Sequence, residues 1–146
     1  MDLTKTYPRS VKDRLAGVVM LARTTDKARA YGKDTLGEYH YNCPMDRAVF
    51  SLLGIDHEEF ARQAAALDDE ALARWVGQNF VTKKQPREIE QFNESFLRYA
   101  PEPGSESEKY FFDLRNRLDA SRTDITSWAD LLDLDEGRVV PLRKAA

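Results

Sequence analysis

The sequence predicts an all-α fold: an irregular bundle of six or seven short helices with one long polar-aromatic loop. Apolar residues recur at helical spacing along most of the 146-residue chain. Capping residues precede these stretches, and no long alternating pattern typical of strands is present. The length suits one domain, so we expect a single helical domain over residues 1–146.

The first helix is predicted to begin after Ser10, which is a suitable N-cap, and to end near Gly32. Apolar and small residues recur with a 3.6-residue period from Leu15 onwards. Gly17 is expected to bend or split this helix, because glycine weakens a helix interior by about 1 kcal/mol relative to alanine.

Residues 32–43, GKDTLGEYHYNC, form the connection between the first and second helices. Two glycines together with Tyr39 and Tyr41 indicate an irregular or short extended segment. The segment is too long and too aromatic for a simple turn. We expect it to carry function, since binding groups are common on loops that rigid elements hold in place.

Each later helix has a recognisable start signal. Pro44 suits the first position of a helix that Gly54 ends, with Asn42 or Cys43 as its cap. The remaining helices are expected to start at Pro86 or after the caps Asp56, Asp68 or Asp69, Ser105 and Asp124.

Composition and charge argue against several classes of protein. The net charge is −3 and the pI is about 5.5, far from the basic footprint of a nucleic-acid-binding domain. No apolar stretch approaches the roughly 20 residues that cross a bilayer, so no membrane association is expected. One cysteine and no recognisable signal peptide favour a cytoplasmic protein.

Charged residues of the first helix form a candidate site with the loop. Asp26 shares a helix face with small apolar residues, so it is expected to point inward and to pair with Arg23 or Arg29. One interpretation is an ion-pair network that positions the loop. The other is a pocket in which Lys27 or Arg23 holds a small anion against an aromatic wall. The candidate ligand-binding residues are Arg23, Asp26, Lys27, Arg29, Tyr39, His40, Tyr41 and Cys43.

Cys43 allows two further interpretations. It lies just before a predicted helix, whose N-terminal end favours a thiolate, and His40 is near enough in sequence to act as a base. Alternatively, Cys43 is a buried and inert small hydrophobic residue. A zinc site would usually need more cysteines than this chain has, so we expect neither a metal nor a cofactor.

Several phrases of the sequence resemble one known family. They are DLTKTYPRS (2–10), LARTTDKARA (21–30), TLGEYHYNCPMD (35–46), LLGIDHEEF (52–60) and LLDLDEGR (131–138). In this order they are similar to the bacterial domain-of-unknown-function family 5069. The resemblance implies a bacterial origin and a self-contained domain, and it brings no catalytic residue with it.

The favoured function is a non-catalytic ligand-binding or regulatory module, with an anion-accepting pocket at the first helix and the loop Gly37–Asp46. Its partner would be a small anionic ligand or a protein. One alternative is a small thiol-dependent enzyme that uses Cys43, assisted by His40 or Asp26. Another is a homo-oligomer, such as a homodimer, in which aromatic stripes form the interface.

Overall fold

A computed structural model describes residues 1–143 of the chain. Within these residues lie seven α-helices and one short antiparallel hairpin, so the predicted mostly helical fold is confirmed. The elements are β1 (Arg14–Leu15), β2 (Val18–Val19), α1 (Leu21–Gly32), α2 (Pro44–Leu53), α3 (His57–Ala66), α4 (Asp69–Asn79), α5 (Pro86–Leu97), α6 (Glu106–Asp119) and α7 (Trp128–Asp135). A short 3-10 helix, Val81–Lys83, follows α4.

The chain divides into two compact units, Met1–Asn93 and Glu94–Ala146, and the division falls inside α5. Of the second unit, the structure describes the residues up to Arg143. The single domain over residues 1–146 stays a prediction.

The prediction that the first helix starts after Ser10 is wrong, because a β-hairpin occupies the intervening residues. Ala16 and Gly17 both have positive φ, 53° and 77°, as in the two-residue turns that suit tight hairpins. Asn93 holds the hairpin: its side chain accepts a hydrogen bond from the Val19 N–H and donates one to the Gly17 carbonyl. Helix α1 therefore begins only at Leu21.

Most predicted helix starts are confirmed. Cys43 is the N-cap of α2 and Pro44 its first residue, and three carboxylate or hydroxyl caps lie where the sequence predicts them. The exception is α7, whose N-cap is Ser127 and not Asp124. The Asp124 carboxylate binds the Arg122 side chain instead, and it accepts a hydrogen bond from the backbone N–H of Arg143.

Helix α1 is the buried centre of the first unit. Every residue from Leu21 to Ala28 is buried, as is Ala30, and the helix packs mainly against α3. Five of these buried residues are polar or charged: Arg23, Thr24, Thr25, Asp26 and Lys27. A buried charge is costly unless it is paired and hydrogen-bonded, so their partners determine what this unit can do.

The second unit has an apolar core of four buried side chains, Phe111, Ile125, Leu131 and Val140. Trp128 packs edge-on against Phe111 with ring centroids 5.0 Å apart, so this tryptophan anchors the core of the unit. Several aromatic and aliphatic side chains of the unit, including Tyr99 and Tyr110, stay exposed. The homodimer stays a prediction.

Among residues 1–143, no helix combines the length and the apolar character that crossing a bilayer demands.

Candidate functional site

A fully buried ion pair joins α1 to the start of α2. The Lys27 Nζ lies 2.8 Å from Asp46 Oδ2, and the two side chains are 5% and 0% exposed. The Thr24 hydroxyl donates to the other oxygen of Asp46 at 2.6 Å. The Cys43 backbone N–H donates to Oδ2 at 3.2 Å. Three donors therefore hold the Asp46 carboxylate, two from α1 and one from the N-cap of α2, as a buried carboxylate requires.

Cys43 extends this cluster with a thiol. Its Sγ lies 3.3 Å from Lys27 Nζ, and the residue is partly exposed. An ammonium group has three protons to donate, so Lys27 can serve both Asp46 and the sulfur. Cys43 also caps α2 in a reciprocal capping box with Asp46, which places its sulfur at the positive end of the helix. A neighbouring cation and a helix N-terminus are the surroundings in which reactive cysteines are found.

Asp26 belongs to a second cluster, built with an arginine from the N-terminal segment. The expected pairing with Arg23 or Arg29 is wrong, because Arg9 donates its backbone N–H, Nε and one terminal nitrogen to the Asp26 carboxylate. The other terminal nitrogen of Arg9 lies 2.7 Å from Asp69 at the start of α4. Burial lowers the pKa of Arg9, yet its hydrogen bonds to both carboxylates more than compensate, and the net pKa is raised.

Arg29 closes this second cluster. It donates to Asp69 at 2.8 Å, and its other nitrogens donate to the carbonyls of Ala64 and Leu67 at the end of α3. These carbonyls lack partners within the helix, so Arg29 acts as a C-terminal cap. Burial alone would raise the pKa of Asp69, but hydrogen bonds from Arg9 and Arg29 outweigh it and lower this pKa.

The loop Gly37–Asp46 lies against α1, as the sequence analysis assumed. The Arg23 guanidinium lies 5.5 Å from the Tyr39 ring centre, within cation–π range. Tyr41 stacks on Tyr31 of α1 at 5.0 Å and donates its hydroxyl to the His57 carbonyl at 2.6 Å. Burial and nearby carboxylates raise the pKa of Tyr41 well above its ordinary value, so this hydroxyl stays a donor.

Backbone geometry also holds the loop at its beginning. Gly37 has φ +61°, and a Cβ at this position would lie 3.1 Å from the Leu3 carbonyl oxygen. Leu3 in turn donates its N–H to the Thr35 carbonyl at 2.9 Å. The N-terminal residues therefore pack directly on the loop, at a spacing that only glycine allows without strain.

The structure thus divides the eight predicted site residues into separate groups. Lys27 meets Cys43 in the first cluster, while Asp26 and Arg29 belong to the second through Arg9 and Asp69. Arg23 contacts Tyr39, and Tyr41 packs on Tyr31. His40 is exposed, and within residues 1–143 no hydrogen bond links it to Cys43.

Four residues that pair with the predicted site residues, or with each other, in these clusters were not predicted from the sequence: Arg9, Thr24, Asp46 and Asp69. The sequence does contain a signal for Asp46, because it stands three residues after Cys43, at the position whose side chain completes a capping box. Arg9 and Asp69 reach α1 from other segments of the chain, and Thr24 lies on α1 but donates to Asp46 of α2, so no local pattern marks these pairings.

A shallow depression of about 340 Å³ lies beside the loop, between α2 and α3. Its lining residues are Asn42, Arg47, Phe50, Ser51, Gly54, Ile55, Asp56 and His57. Lys27, Tyr39 and His40 are not among them. The predicted anion pocket at these three residues therefore stays a prediction.

In the part of the chain that the structure describes, no group of three or more histidine, cysteine or acidic side chains is arranged to hold a metal ion.

Comparison with known families gives one match. A family model with the description "Domain of unknown function (DUF5069)" matches residues 5–138. No curated protein matches the chain significantly. The family description names no activity, so the function has to be argued from the geometry of the site.

Proposed function

The chain belongs to the DUF5069 family, and we propose that it is a non-catalytic regulatory module whose responsive group is the Cys43 thiol. The single observation that carries the proposal is the distance of 3.3 Å between Lys27 Nζ and Cys43 Sγ. A partly exposed thiol beside an ammonium group and a helix N-terminus has the surroundings of a reactive cysteine.

The position of Cys43 connects its chemical state to the loop. Cys43 ends the loop and caps α2, and it accepts a hydrogen bond from a lysine whose stem is buried in α1. Modification of the sulfur would change its size and charge at this junction. The expected response is a rearrangement of Gly37–Asp46, whose outer side carries the exposed His40.

The geometry favours regulation over a thiol-dependent enzyme. Asp26, one of the two expected assistants of Cys43, is bound by three nitrogen atoms of Arg9. His40, the other, is exposed and makes no hydrogen bond to the thiol within the described residues. A catalytic thiol needs a base within hydrogen-bond reach, and Lys27 is instead a cation held by Asp46.

The proposal is tested by the rate at which iodoacetamide alkylates Cys43 at neutral pH. We expect it to react at least about tenfold faster than a cysteine in an unstructured peptide of residues 38–48, because the Lys27 ammonium and the helix N-terminus lie beside its sulfur. Equal rates, or a slower rate in the protein, would remove the basis of the proposal.

A matched pair of variants isolates the contribution of Lys27. The double variant Lys27→Met with Asp46→Asn removes both buried charges together, so no uncompensated charge remains in the fold. It should alkylate more slowly than the wild type. Lys33→Met removes an exposed lysine and should leave the rate unchanged. If both variants behave alike, the reactivity does not come from Lys27.

Small-anion binding is the second candidate, and the depression beside the loop is the observation that favours it. Arg47 and His57 both line it, so a guanidinium and an imidazole are available to donate hydrogen bonds to a carboxylate or phosphate. Here Arg47 takes the role that the sequence analysis gave to Lys27, since the Lys27 charge is already neutralised by Asp46.

This second candidate is tested by thermal shift with inorganic phosphate and with acetate. A ligand that binds the folded state raises the melting temperature, and the rise grows with the ratio of its concentration to its Kd. The shift should disappear in Arg47→Ala and persist in Arg62→Ala, an exposed arginine of α3 paired with Glu59. A shift that both variants keep would be a general salt effect.

A further inference from the structure

We propose that oxidation of Cys43 by a peroxide ends in a covalent bond between its sulfur and the Lys27 side-chain nitrogen. The inference rests on the proposed function, because it needs a thiol that peroxide can reach. It adds the product of the reaction and the second residue that forms it.

The two reacting atoms are already in contact. Lys27 Nζ lies 3.3 Å from Cys43 Sγ, close to the separation at which reacting atoms are held before bond formation. Neither group can drift far, since the lysine stem is buried in α1 and Cys43 is fixed as the N-cap of α2. The pair therefore behaves as an intramolecular reaction with a high effective concentration of the amine.

The chain offers the oxidised sulfur no thiol. Cys43 is the single cysteine among 146 residues, so an intramolecular disulfide cannot form. A cysteine sulfenic acid condenses with a thiol, or with a nitrogen that attacks its sulfur, as a backbone nitrogen does when it forms a sulfenamide. Here that nitrogen is the Lys27 amine.

The reaction balances in two steps. First, the Cys43 thiol reacts with one hydrogen peroxide; sulfur gains an oxygen as the sulfenic acid, the O–O bond breaks and one water leaves. Second, the neutral Lys27 amine attacks the sulfur; the S–N bond forms, the S–O bond breaks and the second water leaves. The sulfur is oxidised by two electrons, and peroxide is reduced by two.

Asp46 makes the second step possible without leaving a buried charge. Lys27 has to lose a proton before its nitrogen can attack, and Asp46 Oδ2 lies 2.8 Å away to receive it. The bridge then carries no charge and the carboxyl group is neutral. Because both side chains are almost completely buried, a bridge that left Asp46 ionised would be strongly disfavoured.

The test treats the purified full chain with one equivalent of hydrogen peroxide and follows its mass. The bridged protein should be about 2 Da lighter than the reduced protein, since two hydrogens are lost and no oxygen is kept. Trypsin should then fail to cut after Lys27 and release one cross-linked product of TTDKAR (24–29) and DTLGEYHYNCPMDR (34–47). Excess dithiothreitol should restore the two separate peptides.

Three variants complete the experiment. Cys43→Ser keeps a side-chain acceptor at the N-cap and should show no mass change. Lys27→Arg keeps the positive charge but has no amine to form the bridge. Its oxidation should give the sulfenic acid, about 16 Da heavier, or a more oxidised form of Cys43. Lys33→Arg should form the bridge like the wild type. If Lys27→Arg does not fold, the tryptic map of the wild type still decides whether Lys27 and Cys43 become cross-linked.

Several outcomes would overturn the bridge. One is oxidation of Cys43, by about 16 or 32 Da, with normal cleavage after Lys27; this would leave the proposed regulatory thiol intact. A cross-linked product about 14 Da heavier than the reduced pair would place an oxygen between the two atoms and exclude a direct S–N bond. A thiol as slow towards peroxide as that of the peptide 38–48 would overturn both proposals together.

Discussion

Helices α1 and α7 both bury charged side chains, but they pair them in different ways. In the first unit, Lys27 and Asp46 are both almost fully buried, and they come from different helices. In the second unit, Asp130, Asp133 and Glu136 are buried near α7, while their partners Arg143 and Arg138 keep 47% and 30% of their side chains exposed.

This difference determines how much each cluster contributes to the stability of the fold and which chemistry its groups can take part in. Water and salt screen a pair with an exposed partner, whereas a pair in the interior loses its hydration and depends entirely on its protein partners. Among the described residues, the α7 cluster joins carboxylates to the guanidinium groups of Arg138 and Arg143. The α1 cluster adds a thiol and an amine in contact with each other, so groups able to form a new bond lie beside its buried charges.

The largest expected effect comes from breaking the buried pair on one side. Lys27→Met should lower the free energy of unfolding by about 3–5 kcal/mol, because it leaves the Asp46 carboxylate buried without its cation. The double variant Lys27→Met with Asp46→Asn should recover most of this loss. Urea unfolding measures both, and a single variant as stable as the double one would contradict the interpretation.

Breaking the corresponding pair near α7 should cost less. Arg143→Ala removes two hydrogen bonds to Asp130, of 2.8 and 2.9 Å, but the guanidinium is half exposed and already partly screened. We expect a loss of roughly 1–2 kcal/mol, reduced further in high salt. A loss as large as that of Lys27→Met, measured in the same urea series, would mean that exposure of one partner does not distinguish the two clusters.

The smallest effect concerns the exposed end of the second α1 cluster and depends on pH. Because its pKa is lowered in the folded protein, Asp69 contributes stability that is fully present above its ordinary pKa near 4 and is lost as pH falls through the lower folded value. Its side chain is 46% exposed, so the contribution is at most about 1 kcal/mol.

Asp69→Asn should therefore be slightly less stable than the wild type at pH 7, and this difference should narrow as the pH falls below about 4. Melting temperatures measured across this range test the prediction. A difference between the two proteins that stays constant with pH would show that ionisation of Asp69 is not the cause.

Local signals predicted the later helices well. A cap followed by an apolar period acts within one or two turns, so Pro44, Asp56, Asp68 and Ser105 marked helix starts without help from the rest of the chain. The same reasoning failed before α1. The period from Leu15 onwards suits a helix, but Asn93 pairs with the hairpin backbone from far along the sequence.

The sequence predicted several residues of the candidate site, but it did not predict how their side chains pair. The sequence analysis selected Lys27 and Cys43 among the site residues and placed the loop against the helix, and the structure brings these two side chains together. It paired Asp26 with residues on the same helix, although Arg9 reaches the carboxylate from outside the helix. Helical spacing describes neighbours on one helix, and it carries no information on what another segment brings to that face.

Sequence alone therefore determined the helical class and most helix starts, and it singled out the segment that contains Cys43, because periodicity, capping and composition act over a few neighbouring residues. Tertiary structure decided which charges neutralise each other and which cation reaches the thiol. Buried charges need partners at hydrogen-bond distance, and in the first unit those partners come from segments far apart in the chain. The packing of α1 against its neighbours joins Lys27, Cys43 and Asp46 into one cluster.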